Sequence, residues 1–417
     1  MEGNMTINRD FYLNQLIESR HNRLIKIVTG IRRSGKSTLL FELFHNYLIQ
    51  SGVDEKHIVE IAFDDRRKAA LRNPDNALKY IEDKMTDGGM YYILLDEVQL
   101  MDDFADVLNS LLHIKNADVY VTGSNSRFLS KDVATEFRGR GDEIHLYPFS
   151  FAEFCSVKSG SKQELWKEYY TFGGLPQLFV FNDKKRKEKF LLSLQESVYL
   201  KDLIERNKVK NTEEFKELMK VMASGIGSPC NPTKLSNTFK SEKGVVIDKK
   251  TVSNYLNYME DAFVLEKAMR YDIKGKKYIN TLNKYYFQDI GLRNALLDFR
   301  QLEESHIMEN IIYNELRSRG YRVDVGSVEV RKNDSRKQLE VDFVVNRGDF
   351  RCYIQSAMAI PDKEKKEQET ASLKNINDLF KRIIIVKDDI VPHYDENGYF
   401  IIGLFDFLLK PNSLETI

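Results

Sequence analysis

The sequence predicts an α/β protein: a mostly parallel sheet sandwiched by helices, then a helical region ending in a β-ribbon, then a second, smaller α/β region. Three observations predict it. Short apolar runs alternate with helix-like segments over residues 1–150, the pattern of strands joined by helical crossovers. Residues 151–283 change to helical spacing with a late ribbon, and residues 284–417 return to short strands around one long helix.

The first region opens with an amphipathic stretch, Phe11 to Ile17, and a basic stretch, Arg20 to Lys26, before a β-branched run at Ile25 to Thr29. That run reads as a buried strand. Apolar positions at Leu39, Leu40, Leu43, Tyr47 and Leu48 then give a helix over Ser37 to Gln50. Further strands are expected at His57 to Phe63, Tyr91 to Leu95, Asp118 to Thr122 and Glu143 to Leu146, with helices at Asn73 to Met85 and Asp103 to Ile114. Tyr147-Pro148-Phe149-Ser150 ends the strand pattern and marks a boundary.

Residues 151–210 read as a helical connector or lid, broken by Phe172-Gly173-Gly174-Leu175-Pro176. Residues 211–283 hold three helices, Glu213 to Ser224, Pro232 to Phe239 and Asp248 to Asp261, and then a ribbon turning at Gly275. That order predicts a winged helix. Residues 284–417 begin with Tyr285 to Leu297 and a helix at Gln301 to Arg319, followed by strands at Tyr321 to Val330, Glu340 to Asn346, Phe350 to Ser356 and Arg382 to Lys387.

Composition excludes several classes. Lysine plus arginine equal aspartate plus glutamate at 63 each, so net charge gives no long-range pull toward nucleic acid or an anionic membrane. Three cysteines, Cys155, Cys230 and Cys352, lie far apart and suit neither a disulfide framework nor a zinc site. No apolar run approaches the roughly 18 residues that span a bilayer. The expectation is a soluble, cytoplasmic protein without a membrane partner.

Chemistry concentrates after the first strand, where Gly30 to Ser37 reads G-I-R-R-S-G-K-S. Glycines at Gly30 and Gly35 let a backbone curl so that its N–H groups face a phosphate, and the next helix adds its positive end. Arg33 and Ser34 fill the loop, and Thr38 follows it. Lys36 would offer its charge to β- and γ-phosphates and Ser37 its hydroxyl to magnesium. These residues predict a P-loop, with ATP and Mg2+ as its ligands. Tyr92 to Glu97, an apolar strand ending in two acids, reads as a Walker B segment in which Asp96 holds the metal and Glu97 polarises water. Thr122, Ser124 or Asn125, at the end of another strand, would place that water or sense the γ-phosphate. A transition state at phosphorus also wants an arginine, in cis or from a neighbouring subunit of a homo-oligomer; Arg127, Arg138 and Arg140 are the candidates, with Arg140 taken as the catalytic one.

In the predicted winged helix, Lys249, Lys250, Ser253, Asn254 and Asn257 face outward and Val252, Tyr255, Leu256 and Met259 inward. Lys234, Lys240, Lys243, Lys274, Lys276 and Lys277 add charge nearby. DNA contact and protein contact are both open to such a face. In the last region Glu309, Glu315, Glu340 and Asp342 resemble the carboxylates of a metal-dependent nuclease. Gln355 and Ala357 stand where an acid and a lysine would be wanted, so activity is expected to be lost.

Taken with Leu95-Asp96-Glu97-Val98-Gln99, Thr122-Gly123-Ser124, Pro148-Phe149-Ser150-Phe151, Gly173-Gly174-Leu175-Pro176, Lys250-Thr251-Val252-Ser253 and Glu340-Val341-Asp342-Phe343, the chain resembles a family of prokaryotic AAA-type P-loop ATP-binding proteins. In that family a winged helix and a C-terminal domain of unknown function follow the P-loop domain. The resemblance implies ATP binding and hydrolysis, with Lys36 and Ser37 on phosphate and metal, Asp96 on magnesium and Glu97 catalytic, and a C-terminal fold similar to restriction endonucleases. The expected function is an AAA-type ATPase that switches the arrangement of its winged helix and C-terminal domain, with DNA or a protein as partner. The alternatives are a non-hydrolysing interaction module and an ATP-dependent nuclease.

Overall fold

The computed structural model describes residues 7–123, 139–243, 246–332, 335–360 and 363–415. The chain forms two compact units, Met1–Pro148 with Asp261–Phe263, and Phe149–Glu260 with Val264–Ile417.

The first unit is built on five parallel strands, β1 (Ile25–Thr29), β2 (Ile58–Ala62), β3 (Tyr91–Asp96), β4 (Ala117–Thr122) and β5 (Gly141–His145), in the order β2-β3-β4-β1-β5. Helices α1 (Asp10–Glu18), α2 (residues 36–50), α3 (Pro74–Lys84) and α4 (Phe104–Leu112) cover it. Within α2, Lys36–Thr38 leads into a π-helical stretch, Leu39–Phe44, and then His45–Gln50.

Period-2 alternation sorts the strand side chains into two cores. Ile25, Ile27, Tyr91, Ile93 and Leu95 pack with α3 and α4, while Val28, Tyr92, Leu94 and Tyr120 pack with Leu39, Leu40, Leu43 and Phe44 of α2 and with Tyr12 and Leu16 of α1. Each fully buried aliphatic side chain contributes about 1.5–3 kcal/mol, so a register slip by one residue would forfeit both cores. The same alternation directs Asp96 and Thr122, each two residues beyond a member of the second core, toward the α2 side.

That side also buries Lys26, whose ammonium pairs with Asp118 and donates to Leu24 O at 3.0 Å. Tyr120 Oη and the His21 amide donate to the same carboxylate at 2.8 and 3.1 Å. Burial lowers the Lys26 pKa although Asp118 opposes it. This polar plug closes the end of the sheet opposite the β1-to-α2 loop.

In the second unit, α5 (Phe151–Val157) and α6 (Lys162–Phe172) both begin with capping boxes, Ser150 with Glu153 and Ser161 with Glu164. Helices α7 (Lys184–Leu194), α8 (Lys201–Arg206), α9 (Thr212–Ser224), α10 (Pro232–Thr238) and α11 (Lys249–Asp261) follow. On α11 Val252, Tyr255, Leu256 and Met259 are buried and Lys249, Lys250, Asn254 and Asn257 are exposed, as expected, while Ser253, expected to face outward, is half-buried.

Then come β6 (Leu265–Asp272), β7 (Lys277–Phe287), α12 (Ile290–Leu296), α13 (Glu304–Ser318), β8 (Arg322–Lys332), β9 (Ser335–Arg347), β10 (Phe350–Ala357), α14 (Lys363–Lys374), β11 (Lys381–Val386), β12 (His393–Tyr394), β13 (Phe400–Gly403) and α15 (Leu404–Leu409). The ribbon is not a separate wing. β6 pairs with β8 in parallel from Arg270↔Val325 to Asp272↔Ser327, so β6 and β7 extend one eight-stranded sheet. The expected boundary at 283/284 therefore falls inside β7, whose aromatic end is Tyr285–Phe287.

The glycine break at Gly173-Gly174 has a partner far along the chain. Asp289, fully buried at the N-cap of α12, accepts the Gly174 amide at 2.9 Å and the Leu292 amide at 3.0 Å. A Cβ on Gly174 would lie 2.2 Å from Phe149 O, so only glycine permits this approach. No helix among the described residues is long and apolar enough to cross a membrane.

Candidate functional site

The carboxyl ends of β1, β3 and β4 lie side by side, and in an open parallel sheet that edge is where ligands bind. β1 enters the loop at Gly30, whose φ of 139° lies in the region that favours glycine. A Cβ there would come within 2.2 Å of Leu146 O, the residue that follows β5. Arg33 (φ 68°) and Gly35 (φ 96°) complete the curl. Ile31 and Ser34 are fully buried, and Ser34 Oγ, close to Gly30, has no hydrogen-bond partner among the described residues. Arg32, Ser37 and Thr38 are exposed.

Lys36 is buried, and its ammonium donates to Gly30 O at 3.0 Å and Ile31 O at 3.1 Å. Burial pushes its pKa down to about 8 against the opposing charges of Glu97 and Asp96. Ser37 Oγ donates to Asp96 Oδ2 at 2.7 Å, and Thr122 Oγ1 donates to Asp96 Oδ1. Burial raises the Asp96 pKa, with the Thr122 and Ser37 hydrogen bonds opposing. Glu97 follows with φ 50°, a turn in direction that separates its side chain from the strand alternation. Its amide donates to Thr122 Oγ1 at 3.0 Å, and Gln99 Nε2 donates to its carboxylate.

The structure thus brings Gly30, Ser34, Gly35, Lys36, Ser37, Asp96, Glu97 and Thr122 together at one edge. Ser124, Asn125, Arg127 and Arg138 lie outside the described residues. Arg140 is a correction. Its carbonyl accepts the Ile25 amide at 2.9 Å, at the start of β1, and its guanidinium donates to Asn109 Oδ1 at 3.1 Å. The five residues of β1 separate it from the loop, on the order of 15 Å at the usual strand rise. Arg140 therefore does not serve the site of its own chain.

Two contributors were not read from the sequence. Gln99 lies inside a quoted motif, but its hold on Glu97 depends on the tight turn at Val98–Leu100. Arg9 precedes α1 and donates to Ser34 O and Tyr147 O. Nothing in the local pattern announces that reach.

In the second unit the expected carboxylates also gather, in an unexpected arrangement. Lys284 of β7 is buried, with its ammonium 2.8 Å from Glu309 Oε1 and 2.7 Å from Glu340 Oε1, and Tyr286 Oη donates to Glu309 at 2.6 Å. Burial opposes the charge on Lys284, but Glu309, Asp342 and Glu340 hold its pKa above the ordinary lysine value. Asp342 accepts Ser356 N at 2.8 Å and Ser356 Oγ at 3.2 Å. Burial, then the neighbouring Glu309, raises its pKa.

The expectation placed Gln355 and Ala357 beside these acids, and the structure places Ser356 there instead. Between Asp324↔Val344 and Gly326↔Val341, Asp342 and Phe343 together oppose Val325. Such a bulge re-aims a side chain out of alternation. Gln355 accepts from Ser372 of α14 at 3.5 Å, and Ala357 packs in the core that holds Leu373 and Ile376. Glu315 belongs elsewhere, paired with Arg319 at 2.7 Å. Among the described residues, no group of three His, Cys, Asp or Glu side chains is set to hold a metal ion.

Comparison with known proteins identifies the domain class of the first unit. Residues 22–155 match the AAA domain family, and residues 163–303 match a domain of unknown function, DUF8612. The first unit is thus an AAA-type P-loop NTPase domain, a nucleotide-binding class. An uncharacterized protein of Haemophilus influenzae is 35% identical over 413 residues, covering 97% of this chain and 99% of that one, and the chain belongs to its family. Uncharacterized protein MJ1544 of Methanocaldococcus jannaschii is 28% identical over 411 residues, 94% of this chain and 86% of its own. AMPPCP-bound DnaA from Aquifex aeolicus aligns over 61% of this chain and 88% of its own, at 13% identity and a TM-score of 0.31, a remote likeness that bears on no conclusion below.

Proposed function

We propose that the first unit binds ATP with magnesium and hydrolyses it, and that the nucleotide state switches the helices of residues 211–261 relative to the C-terminal part, to whose sheet the ribbon belongs. The observation that carries this reading is the meeting of Lys36, Ser37, Asp96, Glu97 and Thr122 at one strand edge, with Ser37 Oγ 2.7 Å from Asp96.

The residues present fit both ligands. The loop from Gly30 to Lys36 offers backbone N–H groups and a cation to a triphosphate. The Ser37 hydroxyl and Asp96 carboxylate are hard oxygen donors of the kind magnesium prefers, and they are already adjacent. They would hold the ion, which would supply positive charge to the phosphoryl oxygens. Thr122 fixes the Asp96 carboxylate and the Glu97 amide at once. Glu97, turned out of the strand and held by Gln99, is the base that takes a proton from the attacking water.

The test is an ATPase assay of the parent chain, K36A and E97Q, with and without duplex or single-stranded DNA. Turnover lost in K36A, and cut by at least about 100-fold in E97Q with nucleotide binding kept, is the expected result. Turnover equal to the parent in both variants overturns the site. Nucleotide affinity with no turnover under any condition replaces the enzyme by a nucleotide-dependent interaction module. Stimulation by one form of DNA identifies the partner.

A further inference from the structure

We propose that Arg9 is a positioning residue for the nucleotide site: it sets the direction in which the Gly35 amide presents its hydrogen. The proposal rests on the ATP reading above.

Arg9 precedes α1 and is buried, with its guanidinium 4.7 Å from the Tyr12 ring centroid. Nη2 donates to Tyr147 O at 2.7 Å, and Nη1 donates to Ser34 O at 3.4 Å. Its backbone adopts φ 48° and ψ 40°, a left-handed conformation for a non-glycine residue, and its carbonyl accepts the amides of Tyr12 and Leu13 at 2.9 and 3.0 Å. Strain of this kind, about 1 kcal/mol or more, persists where the surroundings over-determine it and clusters at functional sites.

The two carbonyls gripped by Arg9 lie on the two walls of the phosphate loop. Ser34 is in the loop itself. Tyr147 follows Leu146, whose carbonyl presses on Gly30 closely enough to exclude a Cβ. One planar guanidinium thus ties the loop to the segment after β5.

The consequence follows from peptide geometry. In a trans peptide the carbonyl of residue 34 and the N–H of residue 35 point in opposite directions. A Ser34 carbonyl turned outward to Arg9 leaves the Gly35 N–H turned inward, toward the curl of the loop. Holding that plane before nucleotide arrives removes the ordering cost from binding. Lysine presents its donors from one nitrogen, whereas here two separate nitrogens, Nη1 and Nη2, each hold one carbonyl.

The test uses the full chain with R9Q, R9K and K36A, measuring Mg-ATP and Mg-ADP affinity by calorimetry and turnover at saturating ATP. A charged donor to a backbone carbonyl corresponds to about 10- to 100-fold in affinity. The expected result is therefore a 10- to 100-fold weaker Kd for both nucleotides in R9Q, with kcat within about threefold of the parent because Asp96, Glu97 and Thr122 are untouched. R9K should behave like R9Q, and deuterium exchange over residues 31–36 should lose its nucleotide-induced protection in both. R9Q that binds as tightly as a binding-competent parent overturns the assignment alone. A parent that binds neither nucleotide overturns the ATP reading and this one with it. Should R9Q fold poorly, R9K decides: parent-like affinity in R9K shows that charge suffices and removes the orienting role.

Discussion

The Thr122 hydroxyl stands between two neighbouring acids: it donates to Asp96 and accepts the amide of Glu97 at 3.0 Å. Because β4 lies between β3 and β1 in the sheet, its end falls where the Asp96 carboxylate meets the turn that carries Glu97. Replacing Thr122 by valine keeps the shape and removes both hydrogen bonds. The buried Asp96 oxygen then lacks one donor, and the Glu97 turn lacks its anchor. We expect T122V to lower kcat by about 10- to 100-fold, with the Kd for Mg-ATP within about threefold of the parent and T122S close to the parent. A T122V enzyme with unaltered kcat would remove Thr122 from the machinery.

Local rules made much of this site readable. The strand–loop–helix order around Lys36 and the apolar run ending at Asp96 follow from spacing alone, and the predicted buried face of α11 is the observed one. What failed depended on which strands become neighbours. Arg140 stands next to the last predicted strand in sequence, yet the parallel pairing of β1 with β5 puts it at the amino end of the sheet. Gln355 and Ala357 stand where a nuclease would want an acid and a lysine, but the bulge at Asp342–Phe343 re-aims the neighbouring strand and Ser356 meets Asp342 instead. Arg9, Asp289 and Lys284 act across 25, 115 and 25 residues, distances at which a sequence pattern carries no information on contact.

Lys36 gives a proton-linkage prediction. Its folded pKa of about 8 lies below the usual 10.5 because burial penalises the charged form. Below pH 8 the residue is charged in both folded and unfolded chains, so folding carries the full cost of about 3 kcal/mol. As pH rises from about 8 to 10.5 the folded chain gives up the proton first and that cost fades. A bound triphosphate reverses the shift by supplying negative charge. Binding of Mg-ATP at pH 8.5 should therefore take up a substantial fraction of a proton, and binding at pH 7 close to none. Calorimetry at both pH values in two buffers of different ionisation enthalpy measures it, and identical buffer-independent heats at pH 8.5 would contradict the assignment.

Asp289 offers a second linkage of opposite sign. Burial pushes its carboxyl up to about 6, although the amides of Gly174, Leu292 and Gly291 favour the charged form. A folded pKa above the unfolded 3.8 means that the folded chain holds the extra proton between those values. Its contribution is full below about pH 4 and is lost as pH rises through 6, on the order of 3 kcal/mol. Asparagine has one acceptor for the two oxygens now used, so D289N leaves the Gly174 amide facing an NH2 group. D289N should be less stable than the parent by about 1–3 kcal/mol at pH 7, with the gap wider at pH 4. Urea unfolding at both values, followed by the single tryptophan, Trp166 in the same unit, reads the difference. A gap that narrows toward pH 4 would invert the sign worked out here.

Lys284 allows the acidic cluster of the second unit to be taken apart stepwise. Its ammonium touches Glu309 and Glu340 and lies in the field of Asp342, all on strands or a helix that share one sheet face. K284M fits the same space without charge and leaves the Glu309 carboxylate buried with Tyr286 as its donor among the described residues. Removing one partner of a buried pair costs about 3–5 kcal/mol, since the remaining charge is uncompensated. Removing both ends together costs less, because the desolvated charge leaves with its partner. K284M should thus unfold at lower urea than the parent, and K284M/E309Q should recover at least half of the loss. The cycle separates two physical pictures of the cluster. If the double variant is as unstable as K284M, the loss does not come from an uncompensated Glu309 charge; if it recovers, the ammonium supplies from within the chain the positive charge that holds these acids together.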